Sequence, residues 1–179
     1  MKKTIALFGG SFDPPHIGHI AIIEALKQLE YIDEVVVMPT YLNPFKQNFV
    51  ADASLRLKWL KQIFQNDSKV TISDFEVKQQ KKIPTIQSVE YLLKKYSKIY
   101  LVIGADNLAS LNKWHQFEKL QNLVNFIVVS RDGIEIDKKF IQLYVDHPIS
   151  SSQLRQKLNE SQLPIECKDE ILKIYGEKK

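Results

Sequence analysis

Two histidines three residues apart, His16 and His19, stand in the segment GGSFDPPHIGH (residues 9–19), which follows an apolar run and opens a stretch of helical period. At a helix start that spacing puts both imidazoles on one face. Gly9 and Gly10 let the backbone turn and approach a ligand with no Cβ in the way, and Pro14 with Pro15 stiffens the turn that follows. Two imidazoles, bare glycine backbone and the unpaired N–H groups of a helix amino terminus make an anion site suited to phosphate. Zinc is the metal alternative, but no cysteine or acidic partner at ligand spacing completes a site, and the other two histidines, His115 and His147, are isolated. A glycine-proline loop with two incidental histidines is the plainest reading. Neither GxGxxG nor GxxxxGK[ST] is present, so the loop is neither of the commonest phosphate cradles.

A second segment, HPISSSQLRQKL (residues 147–158), places three serines before a short amphipathic helix that presents Arg155 within its first turns. Ser150 or Ser151 is a good N-cap. By itself it could be no more than a capped helix with a solvated arginine.

Together the two segments resemble the nucleotidyltransferase superfamily, whose signatures are GGxFDPxHxGH near the amino end and ISSSxxR or ISTTxxR towards the carboxyl end. The resemblance implies that the HxGH histidines contact nucleotide phosphates and stabilise the transition state of nucleotidyl transfer. It implies ATP contacts at Gly9, Gly10, Ser11, Phe12 and His19, and at Ile149, Ser150, Ser151, Ser152 and Arg155, where hydroxyls, helix N–H groups and a guanidinium would hold the distal phosphates.

Further matches resemble the nicotinate-nucleotide adenylyltransferase branch. GADNLASLNKW (residues 104–114) is similar to its GxDxxxxxxxW segment, which implies that Gly104 and Asp106 meet ATP, with Asp106 at the ribose, and that Trp114, followed by His115, stacks on a pyridine ring. VVSRDG would bring Arg131 to the mononucleotide phosphate, PTYLNPFK resembles a substrate loop ending in Lys46, and IPTIQSVEYL resembles a helix start at Thr85 whose backbone N–H groups face the nicotinate carboxylate. Many relatives carry histidine before that lysine, where this chain has Phe45. The resemblance thus implies adenylyl transfer from ATP to nicotinate mononucleotide, giving deamido-NAD and pyrophosphate, with His16, His19, Lys46 and Arg155 as the catalytic set. It also implies Mg²⁺ carried by ATP and no metal site of the protein's own. Three alternatives stand beside it. Phosphopantetheine adenylyltransferases typically carry threonine where His16 stands, and cytidylyltransferases carry an RTxGISTT run that this chain does not reproduce. The third is a nucleotide-binding sensor without turnover.

Such residues need a scaffold. Five apolar runs rich in β-branched residues, 4–8, 34–38, 69–72, 99–103 and 124–129, read as strands buried on both faces, and 140–145 as a weaker sixth. Segments of helical period lie between them at 17–29, 53–64, 88–96 and 114–123, and a last helix is expected from near Pro164. Alternating strands and helices predict an α/β fold, a Rossmann-like doubly wound parallel sheet flanked by helices, with ligands past the carboxyl ends of the strands.

The 179 residues are expected to form one nucleotidyltransferase domain with a helical carboxyl portion from about residue 150. With 44% hydrophobic and 26% charged residues the composition is that of an ordered chain, and its single cysteine, Cys167, excludes an intramolecular disulfide framework. The +4 charge suits a phosphate-rich small ligand and is too weak to argue for nucleic acid. Only the five consecutive uncharged residues 4–8 lie between the lysines and the first glycines, too few for a signal-peptide core, and no run reaches membrane-spanning length. A cytoplasmic enzyme, monomer or homodimer, away from membranes, is the expectation.

Overall fold

The computed structural model describes residues 2–42, 49–146 and 149–177. In chain order they form β1 (Thr4–Gly10), α1 (Ile17–Lys27), β2 (Glu34–Pro39), α2 (Ala53–Ile63), β3 (Val70–Ile72), α3 (Phe75–Gln79), α4 (Thr85–Leu93) and β4 (Lys98–Gly104). A 3₁₀ helix (Ala105–Lys113), α5 (Phe117–Leu123), β5 (Asn125–Val129), β6 (Ile141–Leu143), α6 (Ser151–Gln156), a 3₁₀ turn (Glu160–Gln162) and α7 (Lys168–Gly176) follow.

The strands make one sheet in the order β3-β2-β1-β4-β5-β6, and every neighbouring pair is parallel. This is the doubly wound α/β sheet expected from the alternation. Successive residues of a strand point to opposite faces, and both faces are covered. On one, Leu7, Val36 and Leu101 meet Ile86, Val89 and Leu92 of α4 and Leu120 of α5. On the other, Ala6, Val35 and Tyr100 meet Ile23 and Leu26 of α1 and Leu60 of α2. That is why the strands read as continuous apolar runs.

Helix boundaries depart from periodicity where turn residues decide. α4 starts at Thr85, three residues before Ser88, because Pro84 fixes an extended N-cap from which the helix runs directly. α5 starts at Phe117 instead of Trp114, since Trp114 ends the 3₁₀ helix in an extended conformation and Gln116 is left-handed, with φ of 52°. α7 starts at Lys168 instead of near Pro164. The five-residue α3 was not foreseen from periodicity, which is weak over so short a span.

The strand order reverses between β1 and β4, and in such sheets the crevice past the strand ends at that switch point takes the ligand. Here the strands end in Gly9, Gly10 and Gly104.

The loop leaving β1 is anchored through Asp13, whose carboxylate is buried. It accepts the backbone N–H groups of Val50 and Ala51, each at 3.0 Å, and the hydroxyl of Tyr175 in α7. Tyr175 belongs to a third apolar cluster with Trp59 of α2, Leu154 of α6 and Ile171 of α7, so one carboxylate fastens the carboxyl-terminal helices to the first loop. Tyr175→Phe leaves that buried acceptor one donor short and should lower stability by about 1–3 kcal/mol. Urea denaturation should show a lower midpoint at unchanged slope; an unchanged midpoint would mean that α7 is not held through this bond.

Candidate active site

His16 is the N-cap of α1 and is buried; its ring stacks on that of His19 with centroids 3.6 Å apart and planes 22° from parallel. The His16 backbone N–H donates to His19 Nδ1 at 3.2 Å, so a neutral His19 carries its proton on Nε2. The Phe12 ring meets that of His19 edge-to-face, with centroids 4.8 Å apart. Burial, with the positive charge of Arg131 adding to it, pulls the His16 imidazole down to about 3. His16 is therefore uncharged at neutral pH, and its Nδ1 has no hydrogen-bond partner among the described residues.

The loop between β1 and α1 is held from three sides. Beside the contacts of Asp13, the fully buried Arg56 of α2 donates to the carbonyls of Ser11 at 2.6 Å, Tyr41 at 3.1 Å and Ala51 at 3.1 Å, and its guanidinium lies 4.1 Å from the centre of the Phe49 ring. Phe12 sits inside this loop with φ of 50°. From the carboxyl end, Ser151 Oγ donates to the Pro14 carbonyl at 2.9 Å, while Arg155 donates from Nη1 to the Asp13 carbonyl and from Nη2 to Ser152 Oγ at 3.1 Å. Two segments some 140 residues apart in sequence are thus one hydrogen-bonded unit. Ser150 caps α6 by accepting the Gln153 N–H at 3.2 Å, and Ile149 packs into the third apolar cluster.

A cleft of about 480 Å³ opens where β1 and β4 end. Gly9 and Gly10 line it on one side and Gly104 with Asn107 on the other, and its far end is walled by Thr85 and Ser88 of α4, Glu76 of α3, Trp114 and His115. A Cβ on Gly104 would lie 2.4 Å from Asp106 Oδ1, so the bare glycine lets the exposed Asp106 side chain fold back over the strand end. Pro84 at the N-cap of α4 supplies no side-chain acceptor, which leaves first-turn N–H groups at Thr85 for a ligand. Trp114 Nε1 and Thr40 Oγ1, also at this cleft, find no partner among the described residues.

The sequence candidates therefore fall into two joined groups. Ser11, Phe12, His16, His19, Ser151, Ser152 and Arg155 belong to the anchored loop, while Gly9, Gly10, Gly104, Thr85, Trp114 and His115 line the cleft. The exposed Arg131, in the turn after β5, is near enough for its charge to depress His16. Lys46, Phe45 and His147 lie outside the described residues. Arg155 is already engaged by Asp13 and Ser152, a role in joining the motifs that sequence did not reveal. Sequence reasoning also passed over Asp13, Arg56, Tyr175 and Glu76. The aspartate lay within the quoted motif and could have been found there; the other three are single residues on helices with no local signal.

The family described as cytidylyltransferase-like matches residues 7–157. A probable nicotinate-nucleotide adenylyltransferase of Sulfurimonas denitrificans is 57% identical over 174 residues, which is 97% of this chain and 96% of that protein. One of Campylobacter jejuni is 52% identical with 96% of each covered. The chain belongs to the nicotinate-nucleotide adenylyltransferase branch of the cytidylyltransferase-like family. Among solved structures, Plasmodium falciparum nicotinic acid mononucleotide adenylyltransferase complexed with NaAD matches with a TM-score of 0.78 at 24% identity, covering 97% of this chain and 96% of that one. The same protein complexed with APC matches with a TM-score of 0.77 at 23% identity, again covering 97% and 96%. At such identities the likeness bears on the fold, and the adenylyltransferase fold is the one described above.

The depressed His16 gives a measurable signature. Its ordinary value is 6.5 and its folded value about 3, so as pH falls the unfolded chain takes up the proton first. Stability is thus fully present above about 6.5 and declines below it, by up to about 1.4 kcal/mol per pH unit, until about 3. The stability difference between wild type and His16→Gln, measured by denaturant unfolding from pH 7 to pH 4, should shrink with that slope. A constant difference would mean that His16 is not buried in its neutral form.

Proposed function

We propose that this chain transfers the adenylyl group of ATP to nicotinate mononucleotide, releasing pyrophosphate and forming deamido-NAD, as a step of NAD biosynthesis. One observation carries the reading: a single cleft at the sheet's switch point is lined both by the glycines of the nucleotide segments and by Thr85, Trp114 and His115. A phosphate oxygen of the mononucleotide attacks the α-phosphorus of ATP in line; that P–O bond forms as the bond to the bridging oxygen breaks, and pyrophosphate leaves. A phosphate monoester is already ionised near neutral pH, so no general base is required and catalysis is positioning plus stabilisation of charge. His19, with its proton on Nε2, is the donor in this scheme, and the neutral His16 beside it fixes the ring. Gly9, Gly10, Ser11, Gly104, Asp106 and the Ile149–Arg155 segment take ATP; Lys46 and Arg131 take the mononucleotide phosphate.

Among the described residues no group of three His, Cys, Asp or Glu side chains could hold a metal ion. In this reading Mg²⁺ arrives on the triphosphate, where it would neutralise charge on the leaving pyrophosphate. No helix among the described residues is long and apolar enough to cross a membrane. We read the chain as one catalytic domain working in the cytoplasm, as monomer or homodimer, on small molecules without nucleic acid.

Pyrophosphate release from ATP should require nicotinate mononucleotide and stop in excess chelator, returning with Mg²⁺; turnover undiminished by chelator would sink the metal's role. His19→Ala should lose roughly 10²- to 10³-fold in kcat, the scale of one preorganised donor. A variant within threefold of wild type would remove His19 from the chemistry. Nicotinate mononucleotide should exceed the nicotinamide form by at least about tenfold in kcat/KM at neutral pH, because the backbone donors at Thr85 satisfy a carboxylate and leave the amide NH₂ facing a donor. Trp114→Ala should weaken both alike, since stacking does not distinguish them. Equal use of the two by wild type at neutral pH would refute this pocket.

A further inference from the structure

Glu76, the second residue of α3, is a buried carboxyl group in the wall of the cleft, and its one hydrogen-bond partner among the described residues is Ser88 Oγ, 2.7 Å from Oε1. Ser88 stands three residues after Thr85, so the two share one face of α4, and both line the cleft. The bond to Ser88 therefore holds the Glu76 carboxyl beside the face of α4 that Thr85 and Ser88 turn to the cleft. Thr40 and Trp114 line the same cleft, and their Oγ1 and Nε1 atoms are buried without a partner among the described residues, so the wall of the cleft holds unmet polar capacity. The adenylyl-transfer scheme gives Glu76 nothing to do. An ionised carboxylate in the pocket of an acid substrate would oppose its binding, and a purely structural tie between α3 and α4 would not need an ionisable group.

We propose that Glu76 determines specificity at the ring substituent of the mononucleotide: its protonated carboxyl donates to a pyridine carboxylate, its ionised form accepts from a carboxamide, and the choice between acid and amide changes with pH. The inference rests on the pyridine mononucleotide reading of this cleft. Burial pushes the Glu76 carboxyl up to about 7, with the Ser88 hydroxyl pulling the other way, so both forms are populated near neutrality. The other titratable groups at the cleft are Lys82 before α4 and Lys113 and His115 beside Trp114. They remain in a Glu76→Gln variant, and the phosphate of the mononucleotide, which titrates near 6, is common to both substrates and cancels in their ratio.

The test is kcat/KM for nicotinate and nicotinamide mononucleotides, at saturating ATP and Mg²⁺, from pH 6 to pH 9. In wild type the acid-to-amide ratio should fall as pH rises through about 7, by up to about tenfold per pH unit. In Glu76→Gln, which keeps an acceptor for Ser88, the ratio should stay within about threefold across the range. Ser88→Ala removes the hydroxyl that favours the ionised form, so the fall should begin at higher pH. A flat wild-type ratio, or a slope that survives Glu76→Gln, overturns the inference and leaves adenylyl transfer standing. A Ser88→Ala profile that does not move upward overturns it as well, even if the glutamine variant fails to fold. Absence of pyrophosphate release from either mononucleotide in wild type overturns the functional reading and this inference with it.

Discussion

The site depends on a buried carboxylate. Asp13 is 2% exposed and accepts bonds from Val50, Ala51 and Tyr175, while its own carbonyl takes the Arg155 guanidinium, whose Nη1 also lies 3.9 Å from its carboxylate. Removing an ion from water costs several kcal/mol, and it persists only where charge-assisted hydrogen bonds replace the lost hydration. The partners of Asp13 come from three places in the chain, residues 50–51, Arg155 and Tyr175, and each must be folded for this residue to be satisfied. The first loop, the segment before α2, α6 and α7 are therefore coupled to one another. Arg56 complements it from below the loop, with three backbone carbonyls as partners. A loop held between opposite buried charges has little freedom, and the histidines at its end inherit that rigidity.

Rigidity is what a nucleotidyl transfer requires. The nucleophile is charged before it binds, so the protein contributes geometry and a preorganised field, and neither needs a side chain with a finely matched acid strength. His16 illustrates the point: burial keeps it neutral, and its ring lies flat against that of His19. Positive charge comes instead from Arg155, which bonds the loop from the carboxyl end, and from Arg131 in the turn after β5, whose charge is felt at His16. The parallel sheet makes this economical, because every strand delivers its carboxyl end to the same edge of the fold.

The cleft separates two demands. Near β1 and β4 it needs bare backbone, and glycine supplies it at three strand-end positions. Further out it needs shape and polarity, and α4 with Trp114 supplies a helix start and an aromatic wall. The proline that begins α4 is part of this, since a serine or aspartate there would cap the very N–H groups that a ligand would use.

Much of this was legible in the residues. Continuous apolar strands alternating with amphipathic helices point to a parallel sheet covered on both faces, because each helical crossover returns the chain parallel to the last strand and packs its apolar side on the sheet. GGSFDPPHIGH determines a tight turn from strand to helix with two histidines at the helix start, since glycines, prolines and histidines at those spacings act locally. Residues such as Gly104, Thr85 and Trp114 could be singled out by resemblance, but that they line one cleft follows only from the order in which the strands pair. The partnership of Asp13 with Tyr175 spans 162 residues, that of Arg56 with Ser11 spans 45, and neither leaves a periodic trace in the chain. The same holds for Glu76, an unremarked charge on a five-residue helix until Ser88 is seen beside it. Spacing and periodicity record what neighbours along the chain do for one another. Which distant charges are desolvated together, and which groups face a common cavity, is decided by tertiary packing alone, because burial belongs to the assembled surface rather than to any segment.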